Sequence, residues 1–202
     1  MSSESASRVH VTVIETADSL FSMASFKDAE DVARYLYCSS IVEGRVANVY
    51  KHLSDRVEDQ QVKSLLQYIL YDTTKHSAIL RSMGDNIAKL EVRIEDCEVI
   101  WGKGWKNWVL TSMEELSKKE KVRTEELASL IDGMRNLENF FAEGYLTITN
   151  IEIVRLLAKQ RNLDLGNFNT ILEWIIQDEK RHQATIIMIK ELISKQEQPQ
   201  QV

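Results

Sequence analysis

Glu179 and His182 stand three residues apart in the run Asp178-Glu179-Lys180-Arg181-His182. On a helix that spacing puts a carboxylate and an imidazole on one face, a turn apart, where the two can grip a single cation. The segment has a counterpart. Ile171 to His182 aligns without a gap on Leu65 to His76: both copies carry an aspartate (Asp178, Asp72) and a terminal histidine, but Thr73 stands where the second copy has Glu179. Upstream of each segment lies another matched set, in which Glu43, Ala47 and Tyr50 recur at equal offsets as Glu138, Ala142 and Tyr145. Each half of the chain therefore supplies one glutamate and, further on, one histidine motif. Mixed carboxylate and imidazole donors suit Fe(II) or Mn(II) better than structural zinc, which favours closed tetrahedral sulfur or nitrogen sets.

Four helices must position these residues. The first is expected from about Asp28 to Asp55, with Ser25 and Asp28 as a capping arrangement, and Ala29, Val32, Ala33, Leu36, Ser39, Ser40, Glu43, Ala47 and Tyr50 form one stripe along it. The second is expected from about Asp59 to Met83, with Gly84-Asp85 as its stop. A third runs from about Thr124 to Arg161, and a fourth from about Asn167 to Lys195 after a short turn at Asn162 to Gly166. Ile171, Ile175 and Ile186 share the register of Glu179 and His182. The connection between the second and third helices, about 85–123, is long for a structureless loop. It carries Trp101, Trp105 and Trp108 at helical spacing, read as an apolar lid or subunit contact, and Ser112 to Glu120 as a short helix. Residues 1–24, with alternating Val9, Val11 and Val13, read as an arm packing on the domain or on a partner subunit, and 197–202 as a disordered tail.

A two-metal site in a four-helix bundle is built from one Glu on each of two helices and a Glu-x-x-His on each of the other two. With its four segments in this order, the chain resembles the ferritin-like superfamily and, within it, the rubrerythrin-like di-iron carboxylate proteins, over roughly residues 28–195 outside the middle connection. The resemblance implies an all-α, ferritin-like four-helix bundle spanning 25–196 with a long crossover. It implies that Glu43 and His76 hold one ion, that Glu138 and His182 hold the other, and that Glu179 bridges them. Asp72 and Asp178 would then hydrogen-bond the histidine of the neighbouring helix. Tyr50 and Tyr145 lie two turns beyond Glu43 and Glu138 on the same faces, placed to pack there, to donate to the ligand carboxylates or to carry a radical. The implied reaction is reduction of peroxide or oxygen at iron, or manganese, and a separate protein would donate electrons because the chain lacks a C-x-x-C iron module.

Thr73 departs from that pattern. Four carboxylates balance two divalent ions in a low-dielectric core, whereas three leave one positive charge uncompensated. The second ion is then held more weakly, and Thr73 is expected to hydrogen-bond back to the helix carbonyl four residues earlier. The alternative is a degenerate bundle that binds one ion or none and acts through partner contacts. Glu143 lies near Glu138 but fits the repeat less well, and His10 and His52 have no partner pattern.

Bulk properties narrow the field further. At 202 residues, one domain with a sizeable core is the simplest organisation. A net charge of −6 argues against nucleic acid as partner, since phosphate binding needs a basic surface. No apolar run reaches membrane-spanning length, and Met1-Ser2-Ser3-Glu4 lacks a signal peptide's basic start. Cys38 and Cys97 form no C-x-x-C pair and read as small buried apolar side chains in a reducing cytoplasm. A homodimer is the expected assembly.

Overall fold

A computed structural model describes residues 28–101, 112–140 and 166–197. The described residues are helical, without a strand. Helix α1 spans Ala29–Arg56 and α2 spans Gln60–Ile87. A 3-10 turn at Ile94–Cys97 leads into the short α3, Glu98–Trp101. Helix α4 covers 112–117, α5 Thr124–Phe140 and α6 Gly166–Glu197.

Local chemistry fixes where the first two helices begin. Asp28 is the cap of α1: its carboxylate accepts the Asp31 backbone N–H at 3.0 Å. Glu30 and Asp31 add negative charge in the first turn, where the helix dipole favours it. Only Val57, Glu58 and Asp59 separate α1 from α2, so the two helices fold back as an antiparallel hairpin. Asp59 starts α2 by accepting from the N–H groups of Gln61 and Val62, at 2.8 and 2.9 Å.

Gly84 does not end α2, as expected from the sequence; the helix runs a further turn to Ile87. The glycine serves a close approach instead. A Cβ at this position would lie 3.3 Å from two ring carbons of Tyr37 and 3.4 Å from the Ala33 carbonyl oxygen. Tyr37 cannot retreat freely, because its hydroxyl donates to Asp85 and the Arg81 guanidinium lies 5.3 Å from its ring centroid.

The middle of α1 is buried on every side, from Tyr35 to Ser40, which marks it as a central helix rather than a surface one. It packs along α2, which in turn packs on α6, and α6 packs on α5. Leu36, Leu53, Leu66, Ile69, Leu80, Ile131, Leu172, Ile186 and Ile189 fill the shared core without exposure. Ile175 is buried with them, and Ile171 packs at the edge.

The two cysteines correct the sequence reading. Cys38 on α1 and Cys97 in the 3-10 turn are joined as a disulfide, their Cα atoms 5.4 Å apart and both fully buried. The inference from free thiols to a reducing compartment loses its premise. The segment between α2 and α5 is tied down at a second point by Arg56, whose guanidinium donates to Glu115 at 2.6 Å and also to the Glu120 carbonyl. Both partners of that ion pair are buried. Trp105 and Trp108, the side chain of Trp101, the arm before residue 28, the third helix beyond Phe140 and the tail after Glu197 lie outside the described residues. No helix among the described residues is long and apolar enough to cross a membrane.

Candidate metal centre

Glu43 is delivered by α1, Asp72, Thr73 and His76 by α2, and Asp178, Glu179 and His182 by α6. All three helices present these side chains inward. Glu43 and Glu179 are 4% and 2% exposed, and His76 and His182 are not exposed at all, which places two carboxylates and two imidazoles inside an apolar core. Such burial is costly for a bare carboxylate and calls for a compensating partner.

His76 is the pivot of the cluster. Its Nε2 lies 3.0 Å from Asp178 Oδ2 across the helix interface. An ionised aspartate only accepts, so the proton sits on Nε2 and the lone pair on Nδ1. That Nδ1 faces Glu179 Oε1 at 2.9 Å and Glu43 Oε2 at 3.9 Å, and it makes no hydrogen bond of acceptable geometry. A lone pair turned towards carboxylate oxygens is a repulsive arrangement unless a cation or proton lies among them. Burial holds the His76 imidazole below its ordinary pKa, against the opposing pull of Glu179, with His182 and Lys75 adding to the depression. The neutral, ligating form is therefore the favoured one.

One donor atom each from Glu43, His76 and Glu179 lies within 4.8 Å of the other two. Donors bound to one ion at about 2.1 Å stand about 3 Å apart when adjacent and about 4.2 Å apart when opposed. The 2.9 and 3.9 Å separations fall in that span, so the set closes round a divalent cation with small side-chain movement. On the other side of Glu179, its Oε2 lies 3.4 Å from His182 Nδ1, while His182 Nε2 lies 3.5 Å from Asp72 Oδ2. The two imidazole centroids are 5.7 Å apart. Glu179 thus stands between both histidines, one carboxylate oxygen towards each.

Thr73 is buried and its hydroxyl donates to the Ile69 carbonyl at 2.8 Å, the back-bond expected for a neutral residue at this register. Asp178 reaches His76 as expected. Asp72 approaches His182 more loosely, and its carboxyl is held below the usual range despite burial, chiefly by its hydrogen bond from Lys75. Tyr50 is fully buried on the same helix as Glu43. Glu138 falls within α5, but its side chain, Tyr145 and Glu143 lie outside the described set.

Two neighbours escaped the sequence reading. Tyr68 sets its ring edge-on to His182 at 6.3 Å, and Lys75 donates to both Asp72 and Asp178, at 2.7 and 2.8 Å. Lys75 precedes His76 and follows Asp72 by three residues, so half of its role was legible as a helical i, i+3 pair; the bond to Asp178 depends on a residue 103 positions away. The chain matches no protein-family model, no curated protein and no solved structure.

Proposed function

We propose that this chain is a ferritin-like four-helix metalloprotein, with α1, α2, α5 and α6 as the helices of its bundle. It holds one divalent cation firmly between Glu43, His76 and Glu179. A second, weaker position would lie on the His182 side of Glu179, with Glu138 the further ligand that the sequence repeat assigns to it. The observation that carries this reading is the His76 imidazole, whose Nδ1 lone pair is aimed by Asp178 at two buried carboxylates. The donor set is oxygen-rich with one nitrogen per ion, which suits iron or manganese.

Glu43, His76 and Glu179 would hold a redox-active ion, which would supply the electron-transfer chemistry for reducing peroxide or oxygen, with a separate protein as electron donor. The residues themselves do three things. Asp178 fixes the tautomer of His76, the apolar core around Leu66, Ile69, Leu172 and Ile186 excludes bulk water, and Glu179 offers one oxygen to each half. Thr73 favours a second reading, in which a single ion serves structure or partner binding, because its hydroxyl is already committed to Ile69.

Metal analysis of anaerobically purified protein, with Mn(II) and Fe(II) titrations, tests the proposal. One tight equivalent, a weaker second, and loss of the first in His76→Ala are expected. Peroxide consumption by the iron-loaded protein with an artificial electron donor separates the redox reading from the structural one. Absence of any tight equivalent in the parent protein would remove the metal reading altogether.

A further inference from the structure

Six side chains close a circuit through the cluster. Lys75 Nζ donates to Asp178 Oδ2 at 2.8 Å, and that same oxygen meets His76 Nε2 at 3.0 Å. His76 Nδ1 faces Glu179 Oε1 at 2.9 Å, and Glu179 Oε2 faces His182 Nδ1 at 3.4 Å. His182 Nε2 faces Asp72 Oδ2 at 3.5 Å, and Asp72 Oδ1 returns to Lys75 Nζ at 2.7 Å. The circuit uses opposite oxygens of each of Asp72 and Glu179 and opposite nitrogens of each imidazole. Lys75 is its one substantially exposed member, with 47% of its side chain in contact with solvent, while the histidines are fully buried.

We propose that Lys75 is a positioning residue for the metal centre: one ammonium group cross-links Asp72 and Asp178, and through them holds both histidine rings in their ligand-presenting orientation. This rests on the metal reading above for its consequence, but not for its geometry. Lys75 has three donors on a flexible stem, so one group can satisfy two carboxylates from different helices. Those aspartates would otherwise face each other across the α2–α6 interface as like charges. Asp178 keeps a second cation, Arg181, from its own helix. For Asp72, Lys75 is the cation that shares a hydrogen bond with it, and the His182 side therefore depends on Lys75 more than the His76 side does.

The proposal has a sign that separates it from simple electrostatics. A positive charge beside a cation site repels the cation, so a purely Coulombic role predicts that removing Lys75 tightens metal binding. A positioning role predicts the opposite, because lost outer partners of histidine ligands typically cost about tenfold to hundredfold in affinity. The experiment is Mn(II) titration of the full chain, of Lys75→Met, which keeps the stem without the charge, and of Lys75→Arg, which keeps charge and donors. Weaker binding in Lys75→Met by about tenfold, with most of it regained in Lys75→Arg, is the expected result. Tighter or unchanged binding in Lys75→Met overturns the proposal.

A metal-free measurement keeps it testable if the parent protein binds no Mn(II). In nitrogen-15 spectra of the histidine rings, the parent should show one tautomer for His76 with the proton on Nε2. Lys75→Met should disturb the His182 signals most and the His76 signals less. Unchanged ring signals at both histidines in a folded Lys75→Met protein overturn the proposal whatever the metal result. Loss of Mn(II) binding in the parent alone would count against the proposed function and leave this arm to decide.

Discussion

At the scale of single residues, the site turns on two facts about protons and charge. The first is the neutral His76. Its pKa is depressed by burial in the folded chain, so the unfolded chain, with an ordinary value near 6.5, binds the extra proton first as pH falls. Stability of the metal-free protein should then be at its plateau above about pH 6.5 and decline as pH drops from there towards the folded value. Denaturant midpoints from pH 7.5 to 5 should show a shallower decline in His76→Gln than in the parent; equal slopes would mean that His76 does not take up the proton. The second fact is the charge missing at Thr73. Thr73→Glu adds a carboxylate to the dry core that already buries Glu43 and Glu179 and breaks the hydroxyl bond to Ile69, so the metal-free variant should melt below the parent. With Mn(II) or Fe(II) it should bind closer to two equivalents and recover its Tm by linkage. Failure to gain metal would show that the second position is not limited by charge. Much of this was legible in the sequence because the two motif copies keep one register: Asp72 and His76 stand where Asp178 and His182 do, and that spacing keeps aspartate and histidine on one helix face. Tyr68 and the bond from Lys75 to Asp178 were not legible, since each acts on a residue of α6 more than a hundred positions away.

At the scale of helices, periodicity and caps set starts well and ends poorly. Asp28 and Asp59 announce α1 and α2 because an N-cap is a local contact within three residues. Gly84 misleads because the glycine stop signal and the glycine demanded by a close helix–helix approach are the same letter. Gly84→Ala should therefore destabilise by about 1–3 kcal/mol, as overpacking against the boxed Tyr37 ring outweighs the gain in helix propensity. Thermal melts would check this, and a stabilised variant would show that the ring gives way. The buried Arg56–Glu115 pair was equally invisible, because nothing in a run of surface-type residues tells which arginine goes inside. Glu115→Ala leaves the buried guanidinium with the Glu120 carbonyl and the more distant Glu126 carboxylate, so a loss of about 3 kcal/mol is expected in chemical denaturation. An Arg56→Met, Glu115→Leu double variant should lie closer to the parent than the single one.

At the scale of the whole molecule, an all-helical fold was readable from composition and period alone, whereas the covalent link was not. Two cysteines 59 residues apart carry no spacing signal, and only the hairpin of α1 and α2 brings the end of the second helix back beside Cys38. In the chain-entropy account, closing a loop of that length is worth roughly 4 kcal/mol against the unfolded state, so a strong reductant should lower the denaturation midpoint of the parent and leave Cys38→Ala, Cys97→Ala unaffected. The same bond draws a boundary round the chain. All of α2, with Asp72, Lys75 and His76, and the turn at Val57 to Asp59 lie inside the ring that Cys38 and Cys97 close. A protease that nicks that turn would cut the backbone without releasing a fragment: the two pieces stay joined, travel as one species on a non-reducing gel, and come apart only when the sulfur bond is opened.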